Sequence, residues 1–182
     1  ARVEDASSGA ILIEELNTAI PPDRRAQARA AAGVLGNTVF EKFPLPAGMR
    51  TVSNDPYELL LNNTWRPTLS VTGADGLPES RSAGNVLRPY TTLKLSFRLP
   101  PTLDAARASA VVRSALERDP PYGAAVSVRI ESAMAGWNAP ELAPWLEQSM
   151  QQASRECFGR DAMDMGTGGS NPYMGMLWLR FP

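Results

Sequence analysis

The sequence predicts an α+β fold, a two-layer antiparallel sheet with amphipathic helices on one face, and three observations carry that expectation. Apolar and polar residues alternate with period two over residues 68–73, 91–99 and 126–130, the spacing that gives a strand one buried and one solvated face. Between the second and third of these runs, Ala108, Val111, Val112, Ala115 and Leu116 recur at helical spacing, so the middle of the chain reads β-β-α-β. With 182 residues and 43% hydrophobic content, the chain can bury one core.

Taken in order, residues 1–20 hold only the short apolar stretch Ala10-Ile11-Leu12-Ile13, too brief to separate helix from strand, and read as irregular. Residues 21–35 open on two prolines, carry Asp23 in the first turn and continue into an alanine-rich body, which predicts a helix stopped at Gly36-Asn37. Two prolines and a glycine between Phe43 and Arg50 predict a connection. Asp55 can cap the next helix, with Pro56 in its first turn and Glu58 completing a capping box, and that helix runs to about Asn62.

Strands at 68–73 and 91–99 follow, the second being the clearer because Leu93, Leu95, Phe97 and Leu99 alternate with Thr92, Lys94, Ser96 and Arg98. After Pro100-Pro101, Thr102 can cap the amphipathic helix, which Asp119-Pro120-Pro121 ends. A third strand is expected at 126–130, before the break at Gly136-Trp137-Asn138. A last helix is expected over 140–158, with Leu142, Leu146, Met150, Ala153 and Cys157 along one face and Gly159 closing it. The methionine- and glycine-rich tail from Asp161 ends in Leu-Trp-Leu-Arg-Phe, which fits strand or helix.

Composition removes several function classes. Eighteen Lys and Arg against 19 Asp and Glu, without a long run of either sign, leave no footprint for nucleic acid or an anionic membrane surface. No apolar run approaches the roughly 18 residues of a membrane span. A single thiol, Cys157, excludes internal disulfides and multi-cysteine zinc sites, and favours a reducing, cytoplasmic setting. The chain contains no histidine, which removes Ser-His-Asp, Cys-His and His-rich zinc chemistry. Glu4-Asp5, Glu14-Glu15, Asp161 and Asp164 have neither the spacing of a calcium loop nor that of a buried acid/base pair, and read as solvated surface. Cys157 has no histidine to activate it and is expected to pack as a small hydrophobe. No catalytic or metal-ligating residue is assigned.

Four segments in order, WRPTLSVTGADG (65–76), GNVLRP (84–89), LKLSFRLPP (93–101) and GTGGSNPYMGML (166–177), resemble the dizinc metallopeptidase family of carnosine dipeptidase, aminoacylase and glutamate carboxypeptidase. The resemblance implies the lid, or dimerisation, region of a zinc-dependent amide or dipeptide hydrolase, joined to the start of its second catalytic segment. On that scheme residues 1–64 form a helical and irregular part of the lid, 65–135 its β-β-α-β core, and 136–182 a helix and tail from the catalytic domain. Family zinc ligands fall upstream of Ala1 and downstream of the Gly-Gly-Ser turn, so the chain is expected to hold no zinc and to be inactive alone, as a piece of a longer polypeptide; the alternative reading is a free-standing protein-binding module that keeps the lid. The parent enzyme would use zinc on a peptide or N-acyl amino acid.

By the same resemblance, Asn85, Arg98 and the turn Gly168, Gly169 and Ser170 are candidate substrate-binding residues. The arginine fork suits a substrate carboxylate because it donates two parallel hydrogen bonds. Each also has a plainer role: Arg98 as a solvated residue on a strand's polar face, Asn85 as a turn former, and the Gly-Gly-Ser turn as a flexible joint. The turn departs from the family's Glu-Gly-Gly-Ser/Thr-Ile-Pro, with Thr167 and Asn171 in place of glutamate and isoleucine. A first lid strand is also expected upstream of Ala1, and either the tail at 173–181 or a second copy in a homodimer is expected to supply the missing pairing.

Overall fold

A computed structural model describes residues 2–169 and 172–181. The elements are helices α1 (Pro22–Leu35), α2 (Thr38–Glu41) and α3 (Pro56–Thr64), strands β1 (Thr68–Asp75) and β2 (Thr92–Arg98), and helices α4 (Ala105–Glu117), α5 (Pro144–Phe158) and α6 (Pro172–Arg180). The class is α+β, and the sheet described consists of β1 and β2 paired antiparallel.

Pairing opposes Leu69 to Phe97 and Val71 to Leu95, with an irregularity at Thr72, so the alternation read from the sequence sets which face is apolar. That face meets α4. Ala108 and Val112 of α4 are buried together with Val3, Ile11, Ile13 and Leu16, and Leu69, Phe97 and Leu99 pack onto the cluster. The N-terminal segment is irregular, as expected, yet it is core. Leu12 donates its N–H to the Val3 carbonyl, and Glu4 bridges to Ile11, which brings the apolar side chains of the turn down onto α4. Side chains of this kind contribute roughly 1.5–3 kcal/mol each when fully buried.

A second, smaller core joins α1 to α3 through Ile20, Leu61 and Trp65, flanked by Ala28 and Tyr57. The Arg29 guanidinium lies 4.4 Å from the centroid of the Tyr57 ring. Asp55 caps α3 by accepting from the Tyr57 N–H. Glu58 does not complete a capping box: Ser53 Oγ accepts the Asp55 N–H, and Glu58 pairs with Arg66 at 2.6 Å.

The structure corrects five further expectations. Asp104, not Thr102, caps α4, since the carboxylate accepts from the Arg107 N–H at 2.6 Å and relieves one of the free amides of the first turn. The run at 126–130 has the strand pattern but joins no ladder: no backbone hydrogen bond ties 125–142 to another segment among the described residues. It is held instead by side chains. Glu117 accepts the Val128 N–H, Lys94 reaches Glu131, and Arg24 donates to the Ala139 carbonyl. Gly136 lies against Pro101 so closely that a Cβ there would come within 2.5 Å of the Pro101 Cα.

The last helix begins at Pro144 rather than near 140. Cys157 is exposed, because most of the apolar face of α5 meets no partner layer. The tail is helix, so α6 cannot supply a strand to the sheet.

The Asp104→Ala substitution is expected to cost about 1 kcal/mol, the usual worth of an N-cap, or roughly 2–4 °C in Tm for a chain of this size. Thr102→Ala should leave Tm unchanged within error. Thermal melts followed by circular dichroism compare the two directly.

Candidate functional site

Arg98 is the last residue of β2, and the alternation that turns Phe97 and Leu99 toward α4 turns Arg98 to the opposite face. Its Nη1 donates to the Gly168 carbonyl at 3.1 Å, across 70 residues of sequence. Two candidate elements that lie far apart in the chain are thus joined.

The glycine turn is seated on the last turn of α3. Gly168 has φ +63°, and a Cβ there would fall 2.5 Å from the Asn63 carbonyl oxygen and overlap the Asn63 side-chain amide. Both the backbone conformation and the space require glycine. Gly166 sits over Thr64 in the same way, where a Cβ would fall 2.9 Å from the Thr64 Cγ2. The seat is itself braced, since Thr64 Oγ1 donates to the Leu60 carbonyl and Arg66 bonds both Asn62 and Glu58. Residues 166–168 are therefore a packed turn, while Gly169 faces open space. Ser170 lies outside the described residues.

Arg98 and the glycine turn line a cleft of about 2590 Å³, bounded by β2, by α4 and by residues 125–142. Small-molecule pockets span about 300–1,000 Å³. A cleft this large is not, as it stands, shaped around a small ligand. On its rim Glu131 accepts from Lys94 at 2.8 Å and from Arg129 at 3.1 Å. The Lys94 hydrogen bond above all, then that of Arg129, holds the Glu131 carboxyl below its ordinary value. Asp164 lies on another part of the lining.

Asn85 is elsewhere. It occupies an exposed loop after the 3₁₀ turn Ser80–Ser82, does not line the cleft, and makes no side-chain hydrogen bond among the described residues. The structure therefore gathers Arg98, Gly168 and Gly169 and leaves Asn85 apart. Asn63, Lys94 and Glu131 are additions to the site. Lys94 and Glu131 stand on polar faces of strand-patterned runs, which is a weak signal of their pairing, whereas no sequence signal marks Asn63 as the seat of the glycine turn.

Chemically the site can bind an anion through Arg98, whose guanidinium keeps donors beyond the one given to Gly168. It holds no zinc-type donor set: among the described residues no three His, Cys, Asp or Glu side chains come together. With no histidine in the chain, the residues present do not fit a zinc centre.

No protein-family model and no curated protein matches the chain. Solved structures do match it. A dipeptidase of Saccharomyces cerevisiae, Dug1p, superposes with a TM-score of 0.65 at 18% identity, over 94% of this chain and 36% of its own. Human carnosine dipeptidase 1 gives 0.63 at 19% identity, over 98% and 38%. The M20-family metallo-carboxypeptidase Sso-CP2 of Sulfolobus solfataricus gives 0.63 at 16% identity, over 99% and 40%. At these identities the likeness is one of fold, and it bears out the fold that the four segments pointed to. The chain spans under half the length of each of these proteins.

Two measurements check the geometry. Gly168→Ala is expected to destabilise the chain by roughly 1–3 kcal/mol, through a left-handed backbone and a clash with Asn63, whereas Gly169→Ala should be near neutral in the same denaturant titration. In Lys94→Ala the Glu131 carboxyl should titrate closer to its ordinary 4.5, as followed by side-chain carboxyl NMR. Because the folded value is depressed, the contribution of Glu131 to stability is present above that ordinary value and fades as pH falls through the folded one; the variant should lose less stability on acidification.

Proposed function

We propose that this chain is the lid or dimerisation region, with the start of the second catalytic segment, of a zinc-dependent metallopeptidase acting on dipeptides or N-acyl amino acids, and that it is catalytically silent by itself. The observation that carries this reading is its surface. The chain exposes 13708 Å², while a folded monomer of 19.6 kDa exposes about 8,600 Å² by the usual scaling of area with mass. Large apolar side chains are among what is exposed. Trp145 and Phe158 of α5 and Leu179 of α6 are 71%, 74% and 85% exposed, as expected of faces that another layer of protein should cover. Proteins of the same fold carry more than half their length beyond the part that matches.

In this reading zinc is held by residues outside 1–182, and no hydrolytic step belongs to the residues described. What this chain contributes is binding. Arg98, restrained by its bond to the glycine turn, would receive the substrate carboxylate, and a positioned guanidinium loses less freedom on binding than a free one. Dimer formation through the uncovered faces and a cytoplasmic setting belong to the same proposal.

In the parent enzyme Arg98→Ala should raise KM for a dipeptide on the order of 10- to 100-fold with a smaller change in kcat, the loss of one charge-assisted contact. The purified 182-residue chain should neither retain zinc after dialysis nor cleave dipeptides, and it should sediment as a dimer at micromolar concentration. Zinc-dependent dipeptide hydrolysis by the chain alone would overturn the proposal.

A further inference from the structure

We draw no further inference here: the strongest candidate, the two buried donors Arg24 Nε and Trp137 Nε1, which stand without a hydrogen-bond partner among the described residues on the wall of the large cleft, belongs to the site already described, and neither nitrogen exposes surface that a ligand could reach.

Discussion

The packing of α4 against the sheet on one side and against an irregular N-terminal segment on the other is the contact that the rest of the structure depends on. Ala108 and Val112 are small enough for both layers to approach, and Leu16 closes the cluster with no exposure at all. Remove that contact and β1 and β2 are a two-stranded hairpin, marginal in water by itself. Because α4 is fixed, the positions of the two segments it joins, β2 and 126–130, are fixed as well, and so is the width of the cleft between them. The N-terminal segment shows that burial and regular structure are separate matters: it has little repeating hydrogen bonding, yet supplies four of the six residues in the main buried cluster.

The site follows from the same arrangement. Arg98 sits at the end of a strand held from below, and the glycine turn is seated on the end of a helix held by Ile20, Leu61 and Trp65. A hydrogen bond between two such anchored elements limits the freedom of an arginine otherwise free to sample solvent. This gives the chain the means to hold an anion at the joint of two anchored elements. Helices α5 and α6 add a separate feature, apolar faces with the chemistry of an interior and the exposure of a surface.

Which parts were legible in the sequence depended on whether the signal was local. α1, α3, β1, β2 and the body of α4 were, because proline entry, an aspartate cap and period-two alternation act within a few residues of themselves. The cap of α4 was misread: Thr102 and Asp104 are both good capping types two residues apart, and the choice between them rests on where the chain leaves the Pro100-Pro101 corner. The run at 126–130 was misread for a different reason. Alternation reports which face could be buried, while a strand exists only where a neighbouring edge bonds to it. Cys157 was expected in a core because its helix is amphipathic, and amphipathicity states a demand for a partner layer without providing one.

By itself the sequence determined the class of the fold, the order of α1, α3, β1, β2, α4 and α5, the absence of histidine chemistry and, through four spaced segments, the kind of protein whose fold this is. Only the tertiary structure decided that Arg98 meets Gly168, that Gly168 must be glycine because Asn63 occupies the space of its side chain, that Asn85 stands apart, and that the third strand pattern lacks a ladder. The reason is one of range. Propensity, capping and periodicity are set by neighbours within a turn or two, whereas a contact across 70 residues and an unpaired edge depend on how separately stable pieces are held against one another.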